Sequence, residues 1–402
     1  MNHPLIDEYL RIAFHLDRHF PGFIDAYFGD PEAKERVLAE PLEEPVVLAG
    51  SASSLHADIE SADFPESRKD YLQKQTVAMQ TIARKLAGEE IAFIDEVAGC
   101  FDIVVERISD EVFDESIAAL DALLPGSGAV AERMAKWRAG SVIDEARTRQ
   151  ALDLILGETR RRTAEFIPLP ENESVEIGFV RDKPWRGYNW YLGSARSRVE
   201  INLDIPQYAN DLVNLVAHEA YPGHHTEHCV KGETLYRERG YDEMSIQLIN
   251  TPECVIHEGI ATLAEVMIFP GDDAARWKQD VLYPAIGITG YPEQERQIQH
   301  HTAILRASGG NAALMRHVDG TDTDDIVAYI MKYLLRSEEE SRHRLQFIDD
   351  PLWRPYIFTY HVGRDLLGAW LDQAPAGERL TRFRTLLTEQ VTPSHIRAAL
   401  PQ

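Results

Sequence analysis

One stretch breaks the rhythm of the chain. Over most of the 402 residues apolar side chains recur every three or four positions, the pattern of helices buried along one face. Between Pro168 and Asp204 the period falls to two: Val175, Ile177 and Phe179, then Val199, Ile201 and Leu203. Gly178, Gly187 and Gly193 cut this stretch into short strands or hairpins. The expectation is a mainly α fold, α+β in detail, with one small antiparallel sheet beside the helix that follows it. A soft boundary near Pro168 separates a helical N-terminal region, 1–167, from a region 168–402 that carries the chemistry. One continuous domain satisfies the same pattern.

The helices are legible from spacing and breakers. Tyr9, Ile12, Ala13, Leu16 and Phe20 share a face, and Pro21-Gly22 ends their run. The same pattern predicts helices over 66–86, 115–124, 130–138 and 146–166. Ile205-Pro206 closes the strand segment, and Tyr208 to Val216 leads into the next helix.

Charge narrows the partners. Sixty-six acidic against 41 basic side chains give a formal net charge of -25. Such a surface repels phosphate backbones and anionic lipid, so neither nucleic acid nor membrane is expected as a partner. Oligomeric state is not legible. Three cysteines without CxxC spacing suit a reducing compartment. Asp7, Glu8, Arg11 and Asp17 interrupt the apolar pattern at the N-terminus, so no signal-peptide core is expected there. No apolar run reaches bilayer length, and the cytoplasm is the expected location.

The helix after the strands reads LVAHEAYPGHHTEHCV, Leu215 to Val230. It begins like the zinc motif HExxH, but Pro222 stands where the second histidine belongs. His224 comes six residues after His218, which on a straight helix is about 9 Å along the axis and on another face. Pro222 cannot donate to the preceding turn and pushes it open. Gly223 admits backbone geometry closed to other residues. Together they predict a bulge that absorbs two residues and returns His224 to His218. Glu219, beside the first ligand, would then act as general base toward the attacking water. A rival pair, His224 and His228, has regular four-residue spacing but leaves Glu219 without a role. A third ligand is expected from TPECVIHEGIATLAEVMIF, where Glu258 lies among Val255, Ala261 and Leu263 and needs a partner there. Glu265, seven residues on, would orient a ligand histidine. His225 is the expected supporting or substrate-contacting histidine.

HEAYPGHH and EGIATLAE, Glu258 to Glu265, resemble the glutamate-ligand zinc peptidases, or gluzincins. Within them the chain resembles the bacterial domain-of-unknown-function family 885. The second segment is also similar to the glutamate-ligand helix of angiotensin-converting enzyme. Tyr360-His361-Val362-Gly363 resembles a helix shared by family 885 and the carboxypeptidase Taq group. The likeness covers roughly the C-terminal 60% of the chain. It implies one Zn2+ held by His218, His224 and Glu258, with Tyr360 hydrogen-bonding the oxyanion. It also implies an edge strand that pairs with extended substrate, expected at SRVEINLD with Asn202 or the backbone of 199–203. For a terminal carboxylate, Arg364, Arg354, Arg196 and Arg198 are the available cations.

The implied activity is hydrolysis of peptide bonds in short peptides, as exopeptidase or oligopeptidase. The alternatives are a metal-dependent amidase or other small-molecule hydrolase, and a non-catalytic protein that keeps a metal site.

Overall fold

His3 starts the first helix: its ring accepts a hydrogen bond from the Leu5 N–H at 3.3 Å, and Pro4 takes the first helical position. The helix runs Pro4–His19, and Gly22 turns the chain at φ 93°. The computed structural model describes residues 3–183, 185–375 and 377–401. The helix predicted over 66–86 is found as Glu66–Leu86. The one predicted from 115 begins earlier, at Asp110, because Ser109 caps it by accepting from Glu111 N and two acidic residues fill its polar first turn.

The fold is mainly helical, with short strands. Its largest apolar core combines Phe14, Leu16 and Phe23 with Leu248, Val255, Ile330 and Phe358, so it crosses the boundary at Pro168. Strand Ile24–Tyr27 pairs antiparallel with Ile246–Leu248, a second tie between the two regions. No single helix among the described residues is long and apolar enough to cross a membrane.

The period-two stretch forms a three-stranded sheet, Ser174–Val180, Gly187–Tyr191 and Arg196–Asn202. Arg196–Asn202 is its centre, parallel to Ser174–Val180 and antiparallel to Gly187–Tyr191. This corrects the expected edge strand. SRVEINLD is paired on both sides, with Val199 and Ile201 buried, and has no free edge for a substrate. The free edge beside the motif helix belongs to Gly187–Tyr191. Asn202 is likewise structural: its amide donates to the Lys183 and Trp185 carbonyls at 2.8 and 3.0 Å, fixing the loop before that edge strand. Tyr208, expected to lead into helix, instead pairs with Val142 in a short strand that includes Gln207, and the motif helix starts at Leu212.

Candidate metal centre

Leu212, Val213, Val216 and Ala217 bury one face of the motif helix, Leu212–Glu219, and carry His218 and Glu219 to its end. There the helix breaks outright instead of bulging. Ala220 leaves helical geometry at φ -119° and ψ -89°, the Tyr221–Pro222 bond is cis, and a second helix runs His224–Lys231. Hydrogen bonds stretched over six residues bridge the break. Gly223 N donates to the Ala217 carbonyl at 2.9 Å, and Thr226 N to that of Ala220 at 3.2 Å. A Cβ on Gly223 would lie 1.9 Å from the His218 oxygen, so no other residue fits. The close return brings the His218 and His224 ring centroids to 4.8 Å.

The ligand atoms of His218, Glu219 and His224 all lie within 4.8 Å of one another. Glu258 reaches the same place from the helix Pro252–Ile268. Its Oε1 accepts the Tyr356 hydroxyl at 2.9 Å, whereas Oε2 lies 3.5 Å from His218 Nε2 and has no hydrogen-bond partner among the described residues. Two ligands on one tetrahedral zinc, with bonds of roughly 2.0–2.1 Å, stand about 3.4 Å apart. The donor set and this spacing fit a zinc ion.

The electrostatics ask for a cation. Burial, helped by Glu258, pushes the Glu219 carboxyl up to about 8, and burial pushes Glu258 to about 7 despite the Tyr356 bond. Burial and the charge of Arg306 lower His218 to about 4, against the opposing effect of the Ala261 carbonyl. Burial and His218 hold His224 well below the ordinary range. Both histidines are thus held neutral, the form that binds a metal, and both acids are driven toward neutrality, which a positive ion would reverse.

Tyr360 stands on the helix Ile357–Asp372, its ring 5.7 Å from that of Tyr356. It keeps 36% of its surface in solvent, yet burial and the charge of Glu258 hold its hydroxyl well above the usual range. It therefore keeps a proton to donate. Two glycines let this helix approach Glu258. A Cβ on Gly363 would lie 2.3 Å from the Val255 oxygen, and one on Gly259 2.8 Å from that of Gly363. The glycines of the EG and Tyr-x-x-Gly motifs are thus the contact between their two helices.

Other expected site residues lie elsewhere. His225 is fully buried and turns away from the cage: its ring meets Ser197 Oγ at 2.8 Å and Glu173 Oε2 at 3.1 Å. It touches no substrate-accessible surface. Glu265 has Asn214 as a neighbour and contacts no ligand histidine among the described residues; the carbonyl beside His218 is that of Ala261. His228 stacks on His224 at 6.0 Å, with both ring nitrogens unpartnered among the described residues, and stands outside the converging group. Arg354 is spent on Glu96, and Arg198 approaches Glu200 at 3.5 Å. Arg364 lies one turn beyond Tyr360, with His300 near enough to feel its charge. Sequence reasoning missed Tyr356, which aims Glu258. It also missed Asn189, whose amide ties the edge strand to the Glu219 carbonyl at 2.6 Å. Only the proximity of Tyr356 to Tyr360 in PYIFTY hinted at the first.

Fold and cage together define a mainly helical protein with a partly buried His-Glu-His-Glu site under a sheet edge left free among the described residues. No family model matches the chain, and no curated protein matches it. Among solved structures it is similar to a "putative lipoprotein" from Colwellia psychrerythraea, at 14% identity and TM-score 0.55, covering 91% of this chain and 68% of that one. A second, described as a "putative lipoprotein of unknown function" from Shewanella oneidensis, has 10% identity and TM-score 0.52, with 98% and 82% covered. At these identities the likeness is one of fold.

Proposed function

We propose that this chain is a zinc-dependent hydrolase of the gluzincin type that cleaves peptide bonds in short peptides. The observation that carries the reading is the unpartnered Oε2 of buried Glu258, 3.5 Å from the Nε2 of His218, which itself converges with Glu219 and His224. The resemblance of HEAYPGHH and EGIATLAE to family 885 supports it. In this reading His218, His224 and Glu258 hold the ion, which when bound supplies Lewis acidity toward carbonyl and water.

Glu219 takes a proton from the attacking water as its oxygen bonds to the peptide carbon. It then gives that proton to the nitrogen as the C–N bond breaks, leaving a free acid and a free amine. Tyr360 donates to the developing oxyanion. Substrate backbone pairs with the free edge of Gly187–Tyr191. The three free, buried cysteines suit a reducing compartment, so the cytoplasm remains our reading of its location.

The test pairs metal content with turnover of a fluorogenic peptide library. Wild type should hold about one zinc per chain and cleave peptides. His218→Ala, His224→Ala and Glu258→Ala should lose the metal, and His228→Ala should keep it. Glu219→Gln should keep the metal and lose at least about 100-fold in kcat. Cleavage of simple amides but no peptide would move the reading to an amidase. Full activity in Glu219→Gln would refute the mechanism.

A further inference from the structure

The edge strand has a direction, and its two ends have different neighbours. The β position of Gly187 is 2.8 Å from Leu215 Cδ1 and 3.6 Å from Glu219 Oε1. At the other end the Tyr191 ring lies 5.3 Å from that of His228, and its hydroxyl oxygen 3.0 Å from the β position of Gly232. The strand thus runs in the same sense as the motif segment, from Leu215 toward Gly232. An extended peptide added antiparallel, the more stable pairing, would place its C-terminus at the Gly187 end.

Near that end two arginines are left without a carboxylate, in a chain whose net charge is -25. Gln299, on the helix Pro292–Arg306, donates to the Asn210 carbonyl at 2.8 Å, just ahead of the motif helix. Arg306 follows seven residues later, on the same face and about 10 Å farther along. It is exposed, and its charge is felt at His218. Arg344 Nη2 and Ile357 Cδ1 flank one point, the β position of Gly309, at 3.9 and 3.4 Å. Ile357 is one turn before Tyr360, and the Arg344 charge is felt at the Tyr360 hydroxyl. Arg316, Arg336 and Arg342 each find a carboxylate. Arg306 and Arg344 pair with none among the described residues, and Asp211, just ahead of the motif helix, is taken by Arg186. At the opposite end buried Glu227 and Glu253 are partnered: Lys231 Nζ donates to Glu227 at 2.6 Å and lies 3.8 Å from Glu253, and His257 Nε2 lies 3.4 and 3.1 Å from the two acids. Strand direction and the two arginines left without a carboxylate point to the same orientation.

We propose that Arg306 and Arg344 bind the free C-terminal carboxylate of the peptide, so that the site removes residues from C-termini. This rests on the peptidase reading above. The test is calorimetric binding to full-length Glu219→Gln protein, which turns nothing over, with acetyl-trialanine, acetyl-trialanine amide and trialanine amide. Two charge-assisted contacts predict that the free acid binds at least about tenfold more tightly than either amide. Adding Arg306→Gln and Arg344→Gln should remove that preference and leave amide binding unchanged.

Equal binding of acid and amide overturns the inference. A preference for trialanine amide over its acetylated form overturns it in favour of amino-terminal recognition. An acid preference that survives the double substitution overturns the assignment to these arginines. Because binding is read without turnover, a failure of the hydrolysis test above is distinguishable from a failure here.

Discussion

At Glu173 three donors meet one carboxylate. His225 Nε2 approaches at 3.1 Å, Arg160 Nε donates at 2.6 Å, and the Tyr221 hydroxyl donates as well. Burial alone would raise this acid; the three donors outweigh it and bring it down to about 2. The folded value is depressed, so the stabilisation is complete above the unfolded value of about 4.3 and is lost as pH falls through about 2. It amounts to at most about 3 kcal/mol, because Arg160 is half exposed. Glu173→Gln should therefore be less stable than wild type near pH 6, and the gap should shrink steadily between pH 5 and 2 in urea unfolding. A gap that stays constant over that range would remove Glu173 as its source. The same residue explains why His225 was misjudged from sequence. Adjacency to His224 suggested the cage, but its partners Glu173 and Ser197 are 52 and 28 positions away and carry no local signal. The meeting of His218, Glu219 and His224 was legible because one short segment with a Pro-Gly break carries all three, whereas Glu258, on another helix, was marked only by its apolar neighbours and its motif.

Elements were legible in kind and partly in arrangement. Apolar period and breakers located the longer helices such as Glu66–Leu86 and Glu145–Ala164 but not Pro45–Ser61, and the Pro-Gly pair located the break in the motif. Sheet order was not legible: alternation marks a strand without naming its neighbours, so the central strand was taken for the edge. Glycines carried more than their turn propensity suggested. Gly363 sits where the Tyr360 helix crosses the Glu258 helix, and the atoms a Cβ would strike, the Val255 oxygen and Gly259 N, are backbone. Gly363→Ala must therefore push the helices apart, lowering stability by about 1–3 kcal/mol. It should also weaken zinc binding, because Glu258 moves with its helix. Gly368 provides the control on the same helix: its β position has only Leu263 Cδ2 within 4 Å, at 3.9 Å, so alanine fits. Thermal melts and zinc titrations of both variants check this, and equal behaviour of the two would contradict the crossing argument.

For the whole molecule, the question left by the pattern at Pro168 is whether 168–402 stands alone. The packing argues that it does not. Buried Glu243 is paired with Arg68 at 2.7 Å, and Glu253 accepts the Tyr71 hydroxyl at 2.7 Å. Asp25 accepts the hydroxyl of Tyr188 on the edge strand. Phe14, Leu16, Phe23, Leu72 and Met79 fill the core that Leu248, Val255 and Phe358 share. Each such apolar side chain contributes about 1.5–3 kcal/mol when buried. Leaving Glu243 without Arg68 costs about 3–5 kcal/mol more. A domain's net stability is only about 5–15 kcal/mol, so losing the first 167 residues exceeds it. Expressed alone, 168–402 should lose near-UV circular dichroism, bind a hydrophobic dye and bind zinc weakly, because the helix bearing Glu258 packs on that lost core. A fragment that melts cooperatively with native near-UV signal would instead make the N-terminal region a separable cover. The site would then owe its geometry to the C-terminal region alone.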